Sequence, residues 1–342
     1  MNQVNQSIGI DVSKDAIMCC IGTLESGQHC FSKSKSFPNT PKGFEALLEW
    51  STPGKTSAVF VMEATGVYYE NLAYWLDSQG YQLSVLLPNK MKHYAKSLNV
   101  KTKTDAVDAQ VLSRVGLERT LHYWHMPSAM MREIKFLSRE YRETKAKLVV
   151  IKNQLHAKKH SFACPLSVEK RLIGQMALLE TQLLEIESEL RAAAISDPQF
   201  YDRVTRLNTI PGISFITIIT ILAETNAFAL IKNAKQLASY AGLDVEHRQS
   251  GAKEGKTKIS KKGNRFIRNA LYMPALCATK HNPHMKPFYT RLCERKPAKK
   301  VAVTAVARKL LVLTFTLWKN NQEFIENYTE ESRQALKPAY TG

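Results

Sequence analysis

The 342-residue sequence predicts an α/β fold with a mixed sheet in its first third, followed by a mostly helical remainder. Strand-length apolar segments alternate with helical segments up to residue 117, which is typical of a layered α/β domain. From about residue 127 to 195 the apolar spacing is helical, and after 199 helices continue around one Gly- and Lys-rich segment. We therefore expect three regions, 1–125, 126–198 and 199–342.

The first region begins with the most clearly patterned strands. Segments 7–13 and 16–24 predict a hairpin, and 29–37 predicts a third strand. The continuous apolar run at 57–64 predicts a buried central strand, because strands covered on both faces lose their polar alternation. The remaining expected elements are a helix at 42–51, a helix at 68–80, a strand at 81–88 stopped by Pro88, and a helix at 105–117.

The middle region carries a heptad-like seam. Its members are spaced alternately by four and three residues: Leu172, Met176, Leu179, Leu183, Ile186 and Leu190. This spacing fits a coiled coil over nearly three heptads. An amphipathic helix packed on its own domain, a helical hairpin and an oligomer contact would each produce the same pattern.

The last region begins with two predicted helices within 207–224, joined by a tight turn at Pro211–Gly212. Such a turn can direct backbone N–H groups toward a DNA phosphate. A helix closed by glycine follows at 234–243, and the Gly- and Lys-rich segment 244–264 predicts a loop or β-hairpin. Helices are expected again at 264–280 and 300–319.

Charge and cysteine usage narrow the class of protein. The formal net charge of +18 favours a polyanionic partner, nucleic acid before an anionic membrane, although a merely basic soluble protein remains an alternative. The six cysteines form no CxxC pair or zinc-ligand spacing, which indicates reduced thiols in a cytoplasmic protein. We expect no signal peptide and no membrane span, since Arg308 and Lys309 interrupt the longest apolar stretch.

Four acidic residues stand at positions that suit metal binding. Asp11 follows the strand "SIGI", and Glu63 ends the apolar run "AVFVM". A carboxylate within a sheet is costly unless it is paired, hydrogen-bonded or bound to metal. Asp105 and Asp108 begin a predicted helix, and acids at that position are also explained by their favourable interaction with the helix dipole. Asp11, taken by itself, is also explained as a turn residue. Together the four could hold two Mg²⁺ ions for phosphoryl transfer.

Ser250, in "RQSGAK", is the candidate nucleophile. A serine before glycine is ordinarily a turn residue, and an unactivated hydroxyl is a weak nucleophile. The surrounding segment is unusually basic, however, with Arg248, Lys253, Lys256, Lys258, Lys261, Lys262, Arg265 and Arg268. These cations predict nucleic-acid binding through phosphates, and they could stabilise charge developing on a scissile phosphate. A basic binding loop without chemistry is the alternative.

The blocks "GIDVSKD", "EATGVYYENL" and "KTKTDAVDA", followed by "IPGI" and "LASYAGL", resemble the DEDD transposases of bacterial insertion sequences, of the IS110 and IS1111 type. The resemblance extends in order over about residues 7–290. It implies a RuvC-like, RNase H-type fold for 1–125, a helical coiled-coil assembly region for 126–198, and a transposase domain with a helix-hairpin-helix-like segment for 199–342. One departure is Ser214, which stands where related turns often have a second glycine.

The resemblance also implies roles for the candidate residues. The DEDD tetrad falls on Asp11, Glu63, Asp105 and Asp108, as ligands for two Mg²⁺ ions that Mn²⁺ could replace, and the family's catalytic serine falls on Ser250. The implied partners are double-stranded donor and target DNA, a structured RNA encoded by the element, and further copies of the chain in a dimer or tetramer. The implied location is the bacterial cytoplasm, at the nucleoid.

Three functions follow as hypotheses. In the first, Ser250 attacks a DNA phosphate with Mg²⁺ assistance and forms a covalent phosphoserine, which a second strand then resolves. In the second, the acids activate water and the protein is a junction-resolving nuclease, with Ser250 only binding DNA. In the third, the protein is a nucleic-acid-binding scaffold without catalysis.

Overall fold

The computed structural model describes residues 5–52, 58–229, 231–246, 249–250, 253–254, 257–295 and 298–326. The chain divides into two compact units, Met1–Met126 and Pro127–Gly342. The first unit is a layered α/β structure, and the described part of the second is largely helical, as the sequence predicts. The expected separation of 126–198 as a region of its own stays a prediction.

The first unit contains a mixed six-stranded sheet. Its strands are β1 (Gln6–Val12), β2 (Ala16–Glu25), β3 (Gln28–Phe31), β4 (Lys35–Pro38), β5 (Val59–Glu63) and β6 (Gln82–Leu86). The order is β3-β2-β1-β5-β6, and β4 pairs with β2 beside β3. The pairs β1–β2, β2–β3 and β2–β4 are antiparallel, whereas β1–β5 and β5–β6 are parallel. The predicted mixed sheet is confirmed.

The predicted single strand at 29–37 is instead divided into β3 and β4, both paired with β2. The division falls at Ser32, whose hydroxyl accepts a hydrogen bond from the backbone N–H of Ile21 at 3.0 Å. A serine side chain that takes the place of a backbone acceptor interrupts the regular ladder. The sequence pattern does not reveal this local competition.

Helices cover both faces of the sheet: α1 (Pro41–Ser51), α2 (Glu70–Ser78), α3 (Pro88–Ser97) and α4 (Asp105–Glu118). On one face, α1 and α2 pack on residues such as Ile10 and Phe60. On the other, α3 and α4 pack on Val59 and Val61. Helix α3 is not predicted from the sequence, because Pro88 suggests the end of a strand, although proline is tolerated in the first turn of a helix, which it occupies here.

The second unit is built from helices α5 (Ala129–Lys159), α6 (Leu166–Ile195), α7 (Pro198–Leu207), α8 (Phe215–Thr225), α9 (Ala234–Tyr240), α10 (Arg265–His281), α11 (Met285–Arg295) and α12 (Lys299–Asn320). Between α9 and α10 lie four two-residue strands: β7 (Val245–Glu246), β8 (Gln249–Ser250), β9 (Lys253–Glu254) and β10 (Lys258–Ile259). β7 pairs with β10, and β8 pairs with β9. The expected loop or hairpin at 244–264 thus contains two short antiparallel ladders. The sequence analysis did not predict α11.

The long helices α5 and α6 pack against each other as a helical hairpin. The predicted apolar seam lies along α6 and becomes fully buried at Ile186 and Leu190. There it joins the core of the second unit, which includes Ile134, Leu222 and Leu310. Of the four explanations for the seam, the helical hairpin and the amphipathic helix packed on its own domain agree with this packing, whereas a coiled coil and an oligomer contact stay predictions.

One helix in the described part of the chain, α12, is long and apolar enough to cross a membrane, with a mean hydropathy of 1.6. Half of that stretch is buried inside the protein. Leu310, Leu311 and Trp318 on this helix all belong to the core of the second unit. The burial accounts for its apolar composition as that of a core helix.

Candidate active site

Parallel pairing places two of the predicted acids next to each other. In the ladder between β1 and β5, Ile10 is the partner of Met62. Asp11 and Glu63 are the next residues on β1 and β5, so the two acids lie side by side at the same end of these strands. The hydroxyl of Thr65 donates a 2.6 Å hydrogen bond to Oε1 of Glu63 and orients that carboxylate.

A close contact between α4 and β1 sets the position of the other two acids. Gly9 lies directly against the backbone of Ala109 and Ser113, so that any Cβ at position 9 would collide with both. One helical turn further on, Gly116 lies against the side chain of Ser7. Because higher numbers on α4 meet lower numbers on β1, the helix runs antiparallel to the strand. Its first residues therefore lie toward the end of β1 that carries Asp11.

The start of α4 is fixed by a cap. The Thr104 hydroxyl accepts a hydrogen bond from the backbone N–H of Val107, and the Thr104 carbonyl accepts one from Asp108. Threonine is a favoured residue at this position. Asp105 and Asp108 follow in the first turn, and a spacing of three residues puts both on one side of the helix.

Electrostatics shows that the four acids share one region. Burial, followed by repulsion from Asp105, Asp108 and Glu63, raises the pKa of Asp11 to about 6. Lys103 partly opposes this shift. The structure thus brings together all four acids that the sequence analysis selected, and their catalytic role stays a prediction.

The same arrangement bears on metal binding. Within the described ranges, no three Asp, Glu, His or Cys side chains converge in a geometry that would hold an ion. The donor chemistry nevertheless fits a hard divalent cation, because such a cation prefers carboxylate oxygens and would relieve the repulsion around Asp11.

The sequence analysis missed residues that support this site. The Asn39 amide donates to the backbone carbonyls of Ser13 at 2.9 Å and Tyr68 at 3.2 Å, which ties the turn after β1 to the segment after β5. No sequence signal identifies Asn39. Gly9 does carry one, since a glycine inside a strand often marks a close backbone approach. Two tyrosines follow shortly after Glu63 in the sequence: Tyr69 packs against the core, whereas Tyr68 is exposed.

Predicted site residues in the second unit are only partly described. The side chains outside the described part are those of Ser250, Arg248, Lys253 and Lys256. Lys258, Lys261, Lys262 and Arg265 are exposed. Lys262 also pairs with Glu246 at 2.8 Å. Arg268 donates to the backbone carbonyls of Ala241 at 2.8 Å and Gly263 at 2.9 Å, so it has a structural contact in addition to its predicted role.

A buried carboxylate holds the base of the serine loop, which we define as residues 244–263. Glu224 accepts two hydrogen bonds from Arg139, at 2.7 and 3.0 Å, and one from the Asn264 amide at 2.6 Å. The Tyr240 hydroxyl donates to the Glu224 backbone carbonyl at 2.7 Å. Burial alone would raise the pKa of Glu224, but the hydrogen bonds from Arg139 and Asn264 hold it below its ordinary value. Both flanks of the loop are thereby tied to one residue.

The turn at Pro211–Gly212 forms as predicted, but only α8 lies within the predicted 207–224, because the helix before the turn, α7, already ends at Leu207. Gly212 has a φ of +92° and lies close to the backbone of Ala278 on α10, both of which favour glycine. Ser214, the departure from the family pattern, begins α8 as its cap and accepts a hydrogen bond from the Thr217 N–H. The serine therefore starts the helix rather than completing a second glycine turn.

Comparison with known proteins agrees with this arrangement. Residues 8–160 match the DEDD transposase family of IS110, and residues 204–290 match the family described as transposase IS116/IS110/IS902. The chain is 30% identical over 322 residues to the pilin gene-inverting proteins of Moraxella lacunata and Moraxella bovis, covering 93% of this chain and 97% of each relative. It is 23% identical to the transposase of insertion sequence IS1111A from Coxiella burnetii, covering 80% of this chain and 78% of that protein.

The chain combines an α/β unit that carries clustered acids with a helical unit, and its relatives are transposases and gene-inverting proteins. These features define a DNA recombinase. The chain belongs to the IS110 family of insertion-sequence transposases.

Proposed function

We propose that this protein is an RNA-guided recombinase of an insertion sequence, which cuts and exchanges strands between the element and a target through a covalent serine intermediate. The observation that carries the proposal is the grouping of Asp11, Glu63, Asp105 and Asp108 in a chain of this family. The strand order, with antiparallel strands on one side of β1 and parallel strands on the other, supports a RuvC-like, RNase H-type unit.

The acids are proposed to hold two Mg²⁺ ions, which Mn²⁺ could replace. A bound divalent cation would polarise the scissile phosphate and make a nearby hydroxyl more acidic. Asp11 must give up its proton to serve as a ligand, and its pKa of about 6 permits this at neutral pH. Thr65 and Asn39 keep Glu63 and the adjoining turns in place.

Ser250 is proposed as the nucleophile. Its oxygen bonds to phosphorus, the bond from phosphorus to one DNA oxygen breaks, and that oxygen receives the proton lost by serine. A hydroxyl of another strand then attacks the phosphoserine, forms a new phosphodiester and returns the proton to Ser250. The number of phosphate ester bonds is conserved, so no nucleotide triphosphate is needed. Exposed cations of the serine loop, including Lys258 and Lys261, would bind the flanking phosphates.

The partners follow from charge and family. A net charge of +18 supports binding of polyanions, which we propose are the donor DNA, the target DNA and a guide RNA encoded by the element. Strand exchange between two duplexes calls for more than one active site, so we propose a dimer or tetramer. Its place of action would be the bacterial cytoplasm, at the nucleoid.

A water-using nuclease is the second candidate. It is favoured by the location of all four acids in the first unit, where they could activate water without a residue from the second. In that case Ser250 would only bind DNA. A scaffold without catalysis is the third candidate, and it requires that the acids have no chemical role.

The test is a denaturing gel of end-labelled donor DNA incubated with Mg²⁺, the RNA encoded beside the gene, and wild-type protein, Asp11→Asn or Ser250→Ala. Thr257→Ala, which removes another hydroxyl from the same loop, is the matched control. A protease-sensitive, slowly migrating adduct lost in both site variants but kept in the control supports serine catalysis. Cleavage without an adduct, equal in wild type and Ser250→Ala, supports the nuclease. Neither cleavage nor an adduct with the wild-type protein supports the scaffold, whereas cleavage that survives both changes places the chemistry on other residues.

A further inference from the structure

The first unit has a cavity whose lining includes none of the four acids. It has a volume of about 490 Å³ and lies between β6, α3 and the end of α4. Its floor is apolar and includes Leu86, Met91 and Val115. This volume falls within the roughly 300–1,000 Å³ typical of sites for small organic groups. We call this cavity the α3 pocket.

The ionisable side chains around the α3 pocket are almost all basic. Apart from Tyr94, its lining carries only basic ionisable side chains, those of Lys90, His93, Arg119 and His122. All four are exposed at the rim. Within the described part of the chain, neither Lys90 nor Arg119 forms an ion pair. The rim is therefore complementary to an anion.

The nearest carboxylate does not neutralise this rim, because it is already engaged. Glu118 accepts a 2.6 Å hydrogen bond from the Tyr94 hydroxyl and a 2.6 Å charged hydrogen bond from Arg114. These bonds hold the half-buried Tyr94 ring in the pocket wall. The Arg119 guanidinium lies 5.7 Å from the centre of that ring. An aromatic ring beside a guanidinium is a common surface for stacking a nucleobase.

Helix α3 presents further cations around the pocket. Its only buried residue is Met91, and its other faces carry Lys90, Lys92, His93 and Lys96. Tyr94 and Ala95 also pack, partly buried, against the core on this face of the sheet, so the cations lie on the solvent-exposed side of the helix. Of these cations, Lys90 and His93 line the pocket and can meet a bound phosphate, whereas Lys92 and Lys96 lie outside the lining.

The pocket adjoins the acidic site through the sheet. Glu63 is the register partner of Leu86 in the ladder between β5 and β6, and Leu86 lines the pocket. Paired strands are about 4.8 Å apart, so the pocket begins one strand away from a predicted metal ligand. A nucleic-acid strand crossing the acids would bring a neighbouring nucleotide to the pocket mouth.

We propose that the α3 pocket takes one unpaired nucleotide of a single-stranded nucleic-acid segment, next to the phosphate at the acidic site. The base enters against Tyr94 and the apolar floor, and its phosphate binds Lys90 and Arg119. The placement relative to cleavage rests on the function proposed above, whereas nucleotide binding does not. Unpaired DNA and unpaired RNA share this chemistry, and the experiment separates them.

The test is fluorescence anisotropy with short labelled oligonucleotides in EDTA, so that no cleavage occurs. The probes are single-stranded DNA, single-stranded RNA and an abasic DNA strand that keeps the phosphates but lacks the bases. The variants are the double substitution Lys90→Ala, Arg119→Ala and the pocket-filling Thr120→Trp. Lys92→Ala, on the same helix but outside the pocket lining, is the control.

We expect the double variant to weaken binding of the base-containing probes at least tenfold, and Lys92→Ala to weaken it far less. Thr120→Trp should weaken binding of base-containing strands but leave the abasic strand unchanged, which a general loss of charge or folding would not do. The more strongly affected probe, DNA or RNA, identifies the natural occupant. Equal weakening by Lys92→Ala, or equal effects of Thr120→Trp on all probes, overturns the proposal.

Asp11→Asn keeps the test independent of the proposed chemistry. If this variant abolishes cleavage in the gel assay and the pocket variants still weaken binding, both proposals stand. If cleavage is independent of Asp11 while the binding differences persist, the proposed function fails and the pocket remains a nucleotide site.

Discussion

The Ser113 hydroxyl on α4 donates a buried 2.9 Å hydrogen bond to the backbone carbonyl of Ser7 on β1. Together with the glycine contacts on either side, this bond fixes the register of the helix on the sheet. A shift of α4 along β1 would move Asp105 and Asp108 away from Asp11. The grouping of the four acids thus depends on small residues at some distance from them.

We first expect Gly9→Ala to be strongly destabilising. Its Cβ would meet the backbone of Ala109 and Ser113, and backbone cannot rotate away as a side chain can. Overpacking of this kind costs about 1–3 kcal/mol or more in the free energy of unfolding. Urea denaturation measures the loss. Gly174→Ala on α6 is the control, because the added methyl there meets no atom and should be neutral or slightly stabilising. Similar effects of both substitutions would contradict the close contact.

The second prediction concerns pH. The pKa of Asp11 is about 6 in the folded protein and 3.8 as a reference, so its ionisation opposes folding. Without divalent cations, this contribution should lower wild-type stability as pH rises from about 4, and level off above about 6. Asp11→Asn lacks the penalty. The difference between the two pKa values corresponds to at most about 3 kcal/mol in the free energy of unfolding. The partial exposure of Asp11 reduces this to about 1 kcal/mol.

Thermal unfolding in EDTA between pH 4 and 8 measures this difference. Asp15→Asn, in the turn after β1, controls for the loss of one negative charge. If the difference in melting temperature between wild type and Asp11→Asn does not grow as pH rises, the other acids do not repel the charge of Asp11.

Divalent cations should reverse the penalty. A cation that binds only the folded protein stabilises it by mass action, and it must compete with the proton on Asp11. We expect Mg²⁺ or Mn²⁺ to raise the melting temperature of wild type above pH 6, with little effect near pH 5. Calorimetric scans with and without the ions provide the measurement. An equal rise in Asp11→Asn would place the bound ions elsewhere.

Glu224→Gln should destabilise the second unit by about 3–5 kcal/mol, since it leaves Arg139 beside an uncharged, buried amide. Glu187→Gln removes a partner of Arg191 at the more exposed surface of α6, and should cost no more than about 1 kcal/mol. Chemical denaturation of both variants makes the comparison. Comparable losses would mean that the Glu224 network contributes no more than a surface ion pair.

The sequence predicts well those features that depend on local patterns. The ends of β1 and β5 are visible because each apolar run stops at an acid, and the start of α4 is visible from Thr104 and the acids after it. Helix α3 is harder to see: Met91, Tyr94 and Ala95 follow a helical spacing, but Pro88 at its start suggests only the end of a strand. The pair Arg139 and Glu224 joins residues 85 positions apart, and no local pattern reports such a contact.

The link between Glu224 and both Tyr240 and Asn264 has an evolutionary consequence. Because the two anchor points are held from outside the serine loop, substitutions or length changes between them need not disturb the helices. We expect the serine loop to vary between relatives more than the helices on either side of it. A chimera that carries another relative's loop should therefore keep the fold of the second unit.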